Sequence, residues 1–202
     1  MLKYVKREHF MAQFKILPNT YILSPLTCFS KKRLFEEICA VASEVSGLDK
    51  LDLLLALNER ESCGSTVCAK GIGLPHALIH GLDKSICILC ILQDEVAYNS
   101  VDTDYHGVDM AMAFFISSED QYEDVAQMLR LVSSNLNNTE LANSFRRIRQ
   151  DNNKILMLLQ KLDSLLSLEA KPTIAATEQS TTATNTIMQF ISDAIPDSLK
   201  SS

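Results

Sequence analysis

Ile86 to Leu92 reads Ile-Cys-Ile-Leu-Cys-Ile-Leu, an unbroken apolar run bounded by polar residues. Successive side chains of a strand point to opposite sides of a sheet, so a strand apolar at every position is buried on both faces. A sheet built on such a strand must be covered by other elements, and the flanking chain offers helices for that. Ser30 is a good N-cap for a helix to about Gly47, with Leu34, Ile38, Val41, Ala42 and Val45 at helical spacing. A second helix is expected from Lys50 to Glu59, with Leu53, Leu54 and Leu57 inward and Arg60 delivered at its end. Val67 to Leu74 and Asp109 to Ile116 are further strand candidates, and polar Asn99 to Gly107 is expected to be a loop. Downstream, Ser118 to Asn135 suits a helix with Val125, Met128, Leu129 and Val132 inward. Shorter and longer helices follow, from Thr139 to about Arg149 and from Asn152 to about Leu168. Helices alternating with strands favour an α/β fold.

With 202 residues, 47% hydrophobic, the chain is long enough for one sizeable core. A formal net charge of -6 argues against a nucleic-acid partner, because neutralising phosphates takes clustered Lys and Arg. An acidic body suits a basic protein face instead. No apolar stretch reaches the roughly 20 residues of a membrane span. The start, Met1-Leu2-Lys3-Tyr4-Val5-Lys6-Arg7, lacks the apolar core of a signal peptide, so the expected location is the cytoplasm.

Six cysteines raise disulfides or zinc, since Cys63, Cys68, Cys87 and Cys90 bracket His76 and His80. Cys87 and Cys90, however, lie three apart on the buried strand and point to opposite faces, which a single metal ion cannot bridge easily. In a reducing compartment the thiols are expected to act as small buried hydrophobes, with no metal and no cofactor.

The chemistry-bearing residues cluster between 58 and 77. Gly71-Ile72-Gly73-Leu74-Pro75-His76-Ala77 puts an imidazole directly after a proline, and Arg60 lies upstream in Asn58-Glu59-Arg60-Glu61. A neutral imidazole is a nucleophile toward phosphorus near neutral pH, and a guanidinium grips phosphoryl oxygens in two-pronged fashion. Taken alone, His76 reads first as a satisfied structural histidine, and Arg60 first as a helix-end cation with a solvated salt bridge to Glu59 or Glu61. Ser65 and Thr66, in a Gly-Ser-Thr turn, either donate to phosphate or merely bend the chain.

In order and spacing, Ser30-Lys31-Lys32-Arg33-Leu34, Asn58-Glu59-Arg60-Glu61, Gly64-Ser65-Thr66 and Leu74-Pro75-His76-Ala77 resemble the enzyme IIA domain of the fructose/mannitol class of the phosphoenolpyruvate-dependent sugar phosphotransferase system. The nitrogen-regulatory branch is the most similar, over roughly residues 15 to 165. The resemblance implies a three-layer sandwich, a mixed β-sheet flanked by helices. It also implies a phosphoryl relay rather than a stand-alone turnover enzyme. His76 would be the phosphoryl acceptor, Arg60 would neutralise the incoming group, and the donor would be a small histidine-phosphocarrier protein charged from phosphoenolpyruvate through enzyme I. Regulatory targets are not legible.

This chain departs from that family's pattern in three places. Val125 stands where members commonly have a second histidine. Val67-Cys68-Ala69-Lys70 replaces the usual glycine-rich run, with Lys70 a compensating cation at most, and Gly107 stands where proline is usual. A degenerate domain that no longer takes phosphate and works as a protein-binding regulatory module is therefore the second hypothesis. A thiol hydrolase using Cys63 or Cys68 with His76 or His80 is the third. His80 and His106 are expected to be solvent-facing, and His9 falls outside the matched stretch. The expected organisation is an N-terminal extension over 1–14, the enzyme IIA-like domain over 15–168, and a Thr/Ala-rich linker with a short helix or disordered tail over 169–202.

Overall fold

The computed structural model describes residues 16, 19–69, 71–98, 106–118, 120 and 122–169. The N-terminal extension over 1–14, nearly all of the 169–202 tail, Lys70, and most of the 99–107 loop lie outside these residues. In chain order the elements are β1 (Thr20–Leu26), α1 (Lys31–Ser46), α2 (Lys50–Ser62), β2 (Val67–Ala69), β3 (Ile72–Gly73), β4 (His76–Ile79), β5 (Ile86–Tyr98), β6 (His106–Ser117), α3 (Tyr122–Leu136), α4 (Thr139–Arg147) and α5 (Asn152–Glu169). The sheet runs β1-β5-β6-β3-β2, with β4 also on β6. It is mixed, with β1 parallel to β5, β5 antiparallel to β6, and β3 and β4 both parallel to β6.

The apolar run of β5 divides strictly by parity. Cys87, Leu89 and Ile91 enter a cluster with Leu129, Val132, Phe145, Ile155 and Leu159, beneath α3, α4 and α5. Ile86, Ile88, Cys90 and Leu92 enter a second cluster with Leu34, Phe35, Ile38, Leu53 and Leu57, beneath α1 and α2. Neighbouring β6 does the same, sending Met110, Met112 and Phe114 one way and Ala111, Ala113 and Phe115 the other. Two helical layers thus cover one sheet, a three-layer sandwich. At about 1.5–3 kcal/mol per fully buried large aliphatic side chain, these two faces are the main stabilising term.

Local chemistry sets the element ends. Ser30 accepts the Arg33 amide at 3.1 Å as the N-cap of α1, and Gly47 closes that helix at φ 74. The buried face of α1 is Leu34, Phe35, Ile38, Cys39 and Ala42; Val45 is exposed and Val41 only half-buried, so the inward stripe is rotated from the expected one. Helix α2 continues past Glu59 to Ser62, so Arg60 sits within its last turn.

The strands differ from expectation in several respects: β5 runs on past Leu92 to Tyr98, and β6 begins at His106, within the stretch expected to be a loop. The segment 67–74 is not one strand: Gly71, at φ 77, turns it into the antiparallel β2–β3 hairpin. A separate strand, β4, follows at His76. β1 had no counterpart in the sequence reading, because Pro25 removes a ladder donor and interrupts the register between Leu23 and Leu26, a break tolerated only at a sheet edge. The six cysteines are all free, and Cys87 and Cys90 occupy opposite faces as the pleat requires. No helix among the described residues is long and apolar enough to cross a membrane.

Candidate functional site

β3 and β4 lie end to end along β6, Gly73 beside Ala111 and His76 beside Phe114. Between them Pro75 has no N–H to give, while its carbonyl accepts the Phe114 amide at 2.9 Å. The interruption frees the Leu74 carbonyl to turn back on the imidazole of His76, whose Nδ1 stands 2.8 Å away. A carbonyl only accepts, so Nδ1 carries the hydrogen. In a neutral ring the lone pair is then on Nε2. That nitrogen receives the Nε–H of Arg60 at 3.0 Å, which requires the same tautomer.

Arg60 reaches His76 from α2 with only 9% of its surface exposed, and its Nη1 donates to the Gly64 carbonyl at 3.1 Å. Among the described residues it makes no ion pair, so the alternative of a solvated helix-end cation paired with Glu59 or Glu61 does not describe it. Burial pulls its pKa down, opposed by the nearby Glu61 and Cys63. His76, half-buried, has its pKa lowered to about 4, first by burial and second by the guanidinium, against the pull of the Leu74 carbonyl. The ring is therefore neutral at physiological pH, with its Nε2 lone pair occupied by the Arg60 Nε–H and open to attack only once that donor moves aside.

The model of the phosphoenolpyruvate-dependent sugar phosphotransferase system EIIA 2 family matches residues 15–162. The chain belongs to this family. A nitrogen regulatory protein of Klebsiella oxytoca is 28% identical over 129 residues, 63% of this chain and 78% of that protein. One from Bradyrhizobium diazoefficiens is 30% identical over 81 residues, 40% of this chain and 53% of that protein. The crystal structure of nitrogen regulatory protein IIA-Ntr from Neisseria meningitidis superposes with a TM-score of 0.65 at 20% identity, covering 71% of this chain and 98% of that one. At that identity the structural likeness speaks to fold.

Around the pair, this EIIA domain assigns its other polar residues unevenly. The Thr66 hydroxyl is turned away from the imidazole and donates to Glu61 Oε2 at 2.6 Å, while its amide reaches Oε1 at 3.3 Å. Ser65 is exposed, and its hydroxyl accepts the Val67 amide at 3.4 Å. Glu61 Oε1 also takes Lys31 Nζ at 2.8 Å, and that ammonium lies 4.5 Å from the centroid of the Tyr98 ring. Tyr98 is a neighbour with no cue in the sequence, and Glu61, a candidate partner for Arg60 there, instead pairs with Lys31. Helical period places Lys31 and Glu61 on different helices with no cue that their side chains meet.

Tyr98 is sealed, its hydroxyl without a hydrogen bond of regular geometry, although Thr66 lies near enough to offset slightly the upward push of burial on its pKa. The ring passes over Gly73, where a Cβ would stand 3.4 Å from the Tyr98 hydroxyl. Val125, in the first turn of α3, is buried in the cluster that also holds Phe114, the register partner of His76. Val125 thus contributes apolar packing on that side of the sheet.

The remaining candidates sit apart from this chemistry. His80 is exposed in the turn after β4, and the His106 side chain and His9 lie outside the described residues. Burial pushes the Cys68 thiol up to about 11, the reverse of an activated nucleophile, and Cys63 Sγ rests on the Glu59 carbonyl at 3.4 Å. A groove of about 1000 Å³ lined by Cys68, Gly71, Glu95, Asp109 and Arg146 opens beside the β2–β3 hairpin, and neither His76 nor Arg60 lines it. There Arg146 clamps Asp109 in a two-pronged pair, Nε to Oδ2 at 2.7 Å and Nη2 to Oδ1 at 2.8 Å, fastening α4 to β6.

Proposed function

We propose that His76 accepts a phosphoryl group from a small histidine-phosphocarrier protein, itself charged from phosphoenolpyruvate through enzyme I, and that the chain works as a regulatory, nitrogen-type enzyme IIA. One contact carries this reading: the 3.0 Å hydrogen bond from Arg60 Nε to His76 Nε2, with Nδ1 held on Leu74. It supports Nε2 as the attacking atom and puts a guanidinium beside the charge that arrives.

In the transfer, the donor's N–P bond breaks with its electron pair returning to the donor imidazole, while the Nε2 lone pair of His76 forms the new N–P bond. The His76 Nδ1–H stays on the Leu74 carbonyl throughout. Arg60 pivots from Nε2 to the phosphoryl oxygens, keeping its Nη1 anchor on Gly64. Because phosphoryl transfer asks the protein mainly for placement and charge stabilisation, an acceptor and one cation suffice in outline. Histidine-to-histidine exchange is nearly balanced in energy, so the relay is reversible. The relay unit is assigned to residues 15–168 and the cytoplasm, with 1–14 and 169–202 as extensions.

A second reading, a degenerate domain that binds regulatory partners without taking phosphate, is favoured by Val125 and by the added tail over 169–202. Incubation with phosphoenolpyruvate, enzyme I and the carrier separates the two. The expected result is an acid-labile gain of one phosphoryl group, lost in His76→Ala. No gain, or a gain retained in His76→Ala, overturns the relay.

A further inference from the structure

The Arg60–His76 contact is held from behind by a second layer of residues. Glu61 is adjacent to Arg60 in sequence, yet its side chain points the other way and is only 6% exposed. A carboxylate so placed is costly unless its oxygens are satisfied. Three donors satisfy them: Lys31 Nζ at 2.8 Å and the Thr66 amide at 3.3 Å on Oε1, and the Thr66 hydroxyl at 2.6 Å on Oε2. Backbone ties hold the two ends of the turn they close, the Cys63 and Gly64 amides on the Arg60 and Glu61 carbonyls at 3.3 Å each and the Leu74 amide on the Thr66 carbonyl at 2.8 Å, while the Glu61 carboxylate joins the ends to each other. Gly64, in the middle of that turn, supplies the carbonyl that anchors Arg60 Nη1.

We propose that Glu61, locked by Lys31, is a positioning residue for phosphoryl transfer: it fixes the turn from Gly64 to Thr66, whose carbonyl holds the guanidinium of Arg60 against Nε2 of His76. The kinetic half of this proposal rests on the phosphoryl-relay reading; the geometric half does not. Glu61 touches neither the imidazole nor the incoming group, and acts through Arg60. Lys31 enters from the first turn of α1 and is steadied over the faces of Tyr98 and Phe35, 4.5 and 5.8 Å from their centroids. That ties the site to the packing of α1 on the sheet. With Val125 where a second imidazole is usual, the aim of one guanidinium carries the charge balance at His76, which makes its anchor matter more.

The sign of a titration shift separates positioning from plain electrostatics. Removing the Glu61 charge by Glu61→Gln lowers the His76 pKa if the carboxylate acts through space, but raises it if Arg60 loosens and its field withdraws. Thr66→Val changes no charge and leaves the hydroxyl bond unmade, so only loosening moves the ring. The experiment follows the His76 imidazole nitrogens by NMR as pH is varied in the full chain, unsubstituted, Glu61→Gln, Thr66→Val, Thr66→Ser and Arg33→Met. In parallel it measures the rate of phosphoryl transfer against carrier concentration.

Expected are upward shifts of about half a unit or more in both Glu61→Gln and Thr66→Val. The maximal transfer rate should fall about tenfold or more at an unchanged half-saturating carrier concentration. Thr66→Ser restores both readouts, and Arg33→Met, which breaks exposed pairs to Glu36 and Glu37, leaves both unchanged. A downward or absent shift in folded Thr66→Val and Glu61→Gln overturns the proposal, as does a rate loss without a shift. If the unsubstituted chain takes no phosphate, the relay reading falls while the titrations still decide the positioning role; if Glu61→Gln does not fold, Thr66→Val decides.

Discussion

Lowering pH tests the buried, neutral imidazole directly. In the unfolded chain His76 titrates near the ordinary value of about 6.5. In the folded protein burial, then Arg60, lowers it to about 4. The folded state thus binds the proton less readily, so the contribution of this group is fully present above the unfolded pKa and is lost as pH falls from about 6.5 toward about 4. Two and a half pKa units at 1.36 kcal/mol each give a ceiling of about 3 kcal/mol, of which about 2 kcal/mol is gone between pH 7 and pH 5. Water at the half-buried ring trims the figure, so about 1–2 kcal/mol over that interval is the expected loss.

Carboxylates also titrate there, so the informative quantity is a difference between variants. His76→Asn keeps a donor for the Leu74 carbonyl and cannot gain a proton. Urea unfolding of both chains at pH 7 and pH 5 should show the unsubstituted protein losing about 1–2 kcal/mol more than His76→Asn. Parallel losses, within about 0.5 kcal/mol, would refute a desolvated His76 and with it a ring held neutral for attack.

Other perturbations follow from the same geometry. Arg60→Met should slow phosphoryl transfer to His76 by about 10²–10³-fold, read as the rate of acid-labile labelling, because one preorganised donor to the developing charge is gone. Gly71→Ala should cost about 1–3 kcal/mol in thermal unfolding, since φ is 77 and the new Cβ would stand 2.7 Å from Arg146 Nη2 and 2.9 Å from Asp109 Oδ1. Phe145→Ala, at a wholly buried position between α4 and the sheet, should cost about 3–5 kcal/mol in urea titration. Val125→His would bury an imidazole in the cluster that holds Met128 and Leu129. A loss of about 1–3 kcal/mol is expected in thermal unfolding, and an increase in stability would contradict it.

Residues 86–92 show what a sequence decides unaided. Apolar at every position, they had to lie between two layers, and parity alone put Cys87 and Cys90 on opposite faces. Ser30 and Gly47 fixed the ends of α1, because capping is a matter of a few adjacent backbone groups. The linear motifs also picked out His76 and Arg60. What sequence could not give was the break after Gly73. Gly71 turns Val67 to Leu74 into the β2–β3 hairpin, and pairing with β6, which the carbonyls of Gly71 and Pro75 anchor, sets β4 apart from β3 and aims the imidazole.

β1 was hidden for the converse reason: Pro25 argues against a strand, and the edge of a finished sheet is what forgives it. The stripe of α1 shifted toward Phe35 and Cys39, which join the cluster of that sheet face, the Phe35 ring meeting Tyr98 edge-on at 6.2 Å. Local pattern, then, indicated which segments are buried and nominated His76 and Arg60, since periodicity, caps and short motifs depend on near neighbours. The tautomer of His76, the grip of Arg60 and the Glu61–Lys31 lock were decided only by the folded chain, because each depends on atoms brought together from separate elements.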